Sequence, residues 1–149
     1  MKICLVGSSG GHLTHLKLIE PLWDSNDRFW VTFDKPDANS LLKNERRYNC
    51  YYPTNRNIKN LIKNSFLAYK VLKKEKPDLI ISSGAAVAIP FFYIGKLFGI
   101  KTTYIEVFDR IDSPTLTGKI VYPVTDLFVV QWEEMKKVYP KAKVLGRIY

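Results

Sequence analysis

The chain has 149 residues, 46% of them hydrophobic and 25% charged, with a formal net charge of +9. That apolar content suffices for one sizeable core and excludes a disordered chain. No apolar run reaches the roughly 20 residues that span a bilayer, and the start, MKICLVG, lacks the apolar h-region and cleavage site of a signal peptide. The expectation is a single cytoplasmic domain over residues 1–149.

The positive charge favours anionic partners: nucleic acid, acidic lipid headgroups or phosphorylated substrates. Cys4 and Cys50 sit in apolar strand-like segments with no CxxC or Cys/His cluster near them, so they read as buried reduced thiols. No metal-ligand pattern and no cofactor motif stand out.

In chain order, KICLVG (2–7) is a short apolar run closed by glycine, a buried-strand signal. HLTHLKLIEPLW (12–23) carries Leu13, Leu16, Ile19 and Leu22 or Trp23 at helical spacing. RFWVTF (28–33) is β-branched and aromatic, hence a strand. PDANSLLKN predicts a short helix with Pro36 in its first turn, and NCYYPT a short strand stopped by Pro53. Residues 56–76 form the clearest helix: Ile58, Leu61, Ile62, Tyr69 and Leu72 fall on one face, Lys59, Lys63, Lys70 and Lys74 on another. PDLIISSG (77–84) is a strand after a helix-stopping proline, and 85–99 a largely apolar helix with Pro90 near its start and Gly99 at its C-cap. KTTYIEVF (101–108) is a strand, 113–124 a helix or broken helix, and DLFVVQW (126–132) a strand. EEMKKVY is a short helix and AKVLG (142–146) a last strand. This βα alternation predicts an α/β fold: a Rossmann-like parallel sheet of about seven strands flanked by helices.

In such sheets ligands lie beyond the C-terminal strand ends, where the strand order reverses. GSSGGH (7–12) offers glycines for close backbone approach and a helix N-terminus for anions, so Gly7, Ser8, Ser9, Gly10 and Gly11 are candidate phosphate binders. His12 could donate to a phosphate or act as acid or base near neutral pH. The spacing G-x-x-G-G is neither GxGxxG nor a Walker loop, and a plain strand-to-helix turn is the competing reading. Ser83 and Gly84, in SSGAAVAIP, form a second small-residue loop, suited to phosphate or simply to close packing. Glu106 ends an apolar strand, which predicts a carboxylate at the cleft rim that orients or deprotonates a hydroxyl. Arg110 follows in a polar loop with Asp109 and Asp112, and a salt-bridged surface is the alternative. The lysine stripe of 56–76 fits a solvated face or an anionic membrane surface. No nucleic-acid-binding motif accompanies it. Phe91, Phe92 and Tyr93 are candidates either for the core or for membrane contact.

GSSGGH followed by a helix resembles the first loop of GT-B glycosyltransferases related to the peptidoglycan N-acetylglucosaminyltransferase. More specifically, residues 104–135 resemble the small membrane-recruiting subunit of the eukaryotic two-subunit transferase that adds N-acetylglucosamine to the dolichol-linked oligosaccharide. The points of match include Glu106, Arg110, Leu116, Gly118, Lys119, Tyr122, Asp126, Phe128, Val130, Gln131 and Trp132, and YPKAKVLGRIY resembles that family's end. The bacterial counterparts are the N-terminal-half subunits of capsule and exopolysaccharide transferases, and the absence of an N-terminal membrane helix fits that type.

The resemblance implies the N-terminal half of a GT-B fold, holding the acceptor site. A donor-binding C-terminal-half partner subunit would hold the UDP-sugar, and the acceptor would be a polyprenyl-diphosphate sugar at the inner face of the cell membrane. Glu106 and His12 become the catalytic candidates, Arg110 a phosphate or Glu106 partner. Gly118, Lys119, Gln131 and Trp132 are either structural or partner-facing. Two other readings stay open: a non-catalytic scaffold that recruits and activates its partner, and a free-standing nucleotide-binding Rossmann protein.

Overall fold

The computed structural model describes residues 1–8, 11–52, 57–84, 86–106 and 115–144; the side chains of residues 11, 12, 15, 18 and 22 lie outside the description. Seven parallel strands form one sheet in the order β3-β2-β1-β4-β5-β6-β7. The strands are β1 Lys2–Val6, β2 Asp27–Phe33, β3 Arg47–Cys50, β4 Leu79–Ser82, β5 Lys101–Ile105, β6 Leu127–Val130 and β7 Lys143–Val144. The helices are α1 Gly11–Leu18, α2 Glu20–Trp23, α3 Pro36–Leu41, α4 Ile58–Glu75, α5 Ala88–Leu97 and α6 Leu116–Val121, with 3-10 turns at Tyr122–Val124 and Glu133–Lys137.

Side chains alternate across the sheet and build two apolar layers. One packs Cys4, Val6, Phe29 and Tyr104 against Val71 and Leu72 of α4, Phe91 and Phe92 of α5, and Val121 of α6. The other packs Ile3, Leu5, Trp30 and Ile105 against Leu13 and Leu16 of α1. Both cysteines are buried and free, and burial pushes their thiol pKa values up.

Three expectations change. The continuous helix over 12–23 is two helices, because Pro21 cannot donate the hydrogen bond a single helix needs and instead occupies the first turn of α2. The helix expected from residue 85 begins at Ala88 and closes at Gly99 (φ +75), where the Gly99 and Ile100 amides donate to Lys96 and Gly95. The apolar face expected of α4 is not its buried face. Of those five residues only Leu72 is buried; the sheet side carries Asn64, Ala68, Val71, Leu72 and Glu75.

Phe91 and Phe92 lie in the core, whereas Tyr93 is partly exposed and donates to the Ile120 carbonyl. No helix among the described residues is long and apolar enough to cross a membrane.

At the far edge of the sheet Glu75 accepts from Lys2 Nζ at 3.2 Å, Arg46 Nη2 at 3.1 Å and the Tyr48 hydroxyl. Burial alone would raise its carboxyl; the Tyr48 and Lys2 hydrogen bonds and the Arg46 and Lys2 charges outweigh that and hold it below the usual carboxylate range. A depressed folded pKa gives stability that is present above the unfolded value and lost as pH falls through the folded one. Thermal melts between roughly pH 6 and pH 3 are therefore expected to lose Tm more steeply for the wild type than for Glu75→Gln.

Candidate functional site

The connections run outward in opposite directions from β1 and β4, so the strand order reverses between them. Val6 and Ser82 are register partners. Gly7–Ser8 and Ser83–Gly84 therefore leave the sheet side by side at its C-terminal edge. Gly7 continues the ladder, its amide donating to Val31 at 3.0 Å. Ser82 closes the turn after β4: its hydroxyl accepts from the Gly84 amide at 3.2 Å and donates to the Gly84 carbonyl at 3.3 Å. Gly84 has φ +146, a conformation that disfavours a side chain, and Ser83 is buried. Gly11 and His12 open the first turn of α1, directly after this crevice. Ser9, Gly10, Arg110, Asp109 and Asp112 lie outside the described residues.

Glu106 follows β5, and its amide extends the β5–β6 ladder to Val129 at 2.9 Å. The expectation of a carboxylate at the cleft rim is corrected: its exposure is 0%. Alternation places it on the same face as Tyr104, the side covered by α4 to α6. There the carboxylate receives the Thr115 hydroxyl at 2.9 Å and the Thr115 amide at 3.2 Å. The Tyr139 hydroxyl donates at 3.1 Å. Thr115 in turn caps α6, its oxygen accepting from the Gly118 amide at 3.0 Å. One carboxylate thus ties residue 106 to residue 115, the two residues flanking the polar stretch 107–114.

The cluster leaves no room at Gly118. A Cβ there would lie 2.5 Å from Glu106 Oε2, 2.8 Å from the Tyr139 hydroxyl and 2.9 Å from Thr115 Oγ1. The Tyr139 ring is itself fixed by Phe128 at 4.3 Å and Tyr122 at 5.0 Å between centroids. Gly118 is therefore a packing requirement. Trp132 is half-buried against the same core, and Lys119 is exposed. Gln131 follows β6 and is 4% exposed, and among the described residues neither of its amide atoms has a hydrogen-bond partner. Lys59, Lys63, Lys70 and Lys74 are all exposed on α4.

Sequence reading missed Thr115 and Tyr139. The first carries a signal, a threonine immediately before an apolar helical run. The second carries none, since 33 residues separate it from Glu106. Among the described residues no group of three or more His, Cys, Asp or Glu gathers as metal ligands would.

The architecture is a Rossmann-like sheet of the kind found in one half of GT-B enzymes. MurG of Acinetobacter baumannii superimposes with a TM-score of 0.75 at 18% identity, over 89% of this chain and 42% of that one. A UDP-GlcNAc 2-epimerase of Methanocaldococcus jannaschii gives 0.77 at 18%, over 99% of this chain and 47% of that one. The chain thus spans less than half the length of these structures, and the likeness is one of fold.

The chain belongs to the family described as oligosaccharide biosynthesis protein Alg14 like, which matches residues 49–148. It is 28% identical to the human UDP-N-acetylglucosamine transferase subunit ALG14 over an alignment 179 positions long, covering 99% of this chain and 83% of that protein. The Kluyveromyces lactis subunit of the same name is 34% identical over 97 residues, 60% of this chain and 41% of that one.

Proposed function

We propose that this chain is the acceptor-side subunit of a split glycosyltransferase. It transfers a sugar from a UDP-sugar to a polyprenyl-diphosphate-linked sugar, together with a separate subunit that supplies the donor half. The observation that carries this reading is the alignment of 99% of the chain with a protein named as a subunit of a UDP-N-acetylglucosamine transferase. The paired strand-end turns support it. Gly7–Ser8 and Ser83–Gly84 leave adjacent strands beside the start of α1, where backbone N–H groups suit a diphosphate. In this proposal Ser8 to Gly11, Ser83 and Arg110 receive phosphate, Gly7 and Gly84, whose amides already donate to Val31 and Ser82, allow its close approach, and His12 moves a proton or donates to an oxygen. The complex works peripherally at the inner face of the cell membrane, and its product feeds a capsular or exopolysaccharide.

One observation favours a second reading, a recruiting scaffold without chemistry of its own: the only carboxylate among the catalytic candidates, Glu106, is enclosed by its own chain.

Transfer from a panel of UDP-sugars to a polyprenyl-diphosphate sugar in membranes tests both, with this chain alone, the donor-half subunit alone, and the two together. Product only with both is the expected result. Full turnover by the donor half alone leaves this chain a recruiter, and turnover by this chain alone refutes the split.

A further inference from the structure

Among the described residues three side chains hold a buried polar atom without a hydrogen-bond partner: Thr32, Arg47 and Gln131. Gln131 alone leaves two such atoms, the donor and the acceptor of one amide. Burying an amide unpaired forfeits its hydrogen bonds to water, and native chains rarely keep such a group. Methionine would fill much the same volume without that loss. The packing of the free chain therefore does not account for a glutamine here; a bound state in which both atoms are paired does.

Its place in the fold points to the ligand side. Gln131 follows β6 at the C-terminal edge of the parallel sheet, the edge that also carries the Gly7–Ser8 and Ser83–Gly84 turns. Val130 and Trp132 both pack into the layer beneath α5 and α6. Alternation sends the side chain between them to the opposite face, the one that α1 covers. That is the face on which α1 starts beside the crevice. Strand β6 lies two strands from β4, so Gln131 stands about 10 Å across the sheet from the Ser83 turn.

The amide also limits what it can take. It offers N–H donors and a carbonyl acceptor, and it carries no charge. A phosphate would use only the donors and would meet the carbonyl as one acceptor meets another. An isoprenoid chain would use neither. Hydroxyls on a sugar ring each donate and accept, so two neighbouring ones satisfy both ends of one amide. With a diphosphate at the Ser83 turn, a hexose attached to it spans the distance to β6. We propose that Gln131 binds two neighbouring hydroxyls of the acceptor sugar. The inference rests on the transferase reading and adds a specificity-determining residue to it. The amide is enclosed in the free chain, so the strand end must open locally for the sugar to reach it. Opening lets the amide pair with water or ligand, and the unpaired group thereby lowers the free energy of that opening.

Gln131→Met tests this, since methionine keeps the length of the side chain and removes both polar atoms. The full chain carrying it is expected to melt at least about 2 °C above wild type, because an unpaired amide has gone. In the complex with the donor-half subunit, KM for the polyprenyl-diphosphate sugar should rise about tenfold or more, with kcat and KM for the UDP-sugar within about twofold of wild type. Acceptors lacking one ring hydroxyl locate the contact. At two neighbouring positions that loss should lower kcat/KM about tenfold for the wild type and less than about twofold for the Met variant. A melting temperature that does not rise overturns the inference, because the amide would then be paired inside the free chain. So does an unchanged KM for the acceptor, or a loss that appears instead as weaker assembly with the donor half. A wild-type complex that transfers nothing sinks the transferase reading and this inference together. A working wild-type complex whose Gln131→Met variant keeps its acceptor KM sinks this inference alone.

Discussion

Glu106→Ala is expected to cost about 2–4 kcal/mol of stability and to abolish transfer by the assembled complex, because it strands the half-buried Thr115 and the buried Tyr139 donors. Glu106→Gln separates the two roles this residue could have. The amide keeps a carbonyl acceptor for the Thr115 amide and the Tyr139 hydroxyl, and its NH2 can donate to Thr115 Oγ1 in place of the bond that oxygen now gives. A residue that positions the 106–115 stretch should therefore tolerate Gln, with stability within about 1.5 kcal/mol of wild type. Its kcat should be retained and any loss should fall on KM for the lipid-linked acceptor. A general base cannot survive the change: kcat should fall by about 10²-fold or more at unchanged stability, and the pH–rate profile should lose a limb. Denaturant unfolding and steady-state kinetics on the same two variants decide between them.

Gly118→Ala is the second large expected effect. Alanine is preferred over glycine within a helix by about 1 kcal/mol, which would by itself stabilise α6. The opposite sign is expected here. The new methyl meets three oxygens at under 3 Å, and displacing them breaks the bonds that close the cluster. A net loss of about 1–2 kcal/mol follows from overpacking less the helix gain. Combined with Glu106→Ala, the clash with the carboxylate disappears, so the double variant should be more stable than the sum of the singles by about 1 kcal/mol or more. Additive losses would mean that Gly118 is required for some reason other than the approach of Glu106.

These effects show where reading a sequence stops. Alternating strands and helices, Pro36 in a first turn and the glycine after α5 were legible because each is a local matter: apolar period, a fixed φ, a left-handed residue; Pro21, which divides the pattern over 12–23 by its missing N–H, was equally local and was passed over. Burial within those elements was less so. Leu13, Leu16 and Phe91 are buried as their patterns imply. In α4, however, the apolar and buried faces differ, since the close approach of α5 and the sheet favours Ala68 and Val71 while Ile58, Ile62 and Phe66 remain outside. Periodicity reports that a helix has an apolar stripe; it does not report what covers it.

The same division holds at the site. That Gly7–Ser8 and Ser83–Gly84 belong together follows from the strand order, which sequence patterns could only anticipate. Glu106 shows the limit most clearly. Its position after an apolar strand was evident from the sequence, and so was its chemistry, but a rim and an interior are indistinguishable in one dimension. Enclosure depends on Tyr139, brought from 33 residues away by the crossover after β6, and on the missing side chain of Gly118. The sequence by itself determined the class of fold, the order of its elements and the residue types at the strand ends. Only the tertiary structure decided which of those residues are accessible, because burial is a property of neighbours that chain connectivity brings together from a distance.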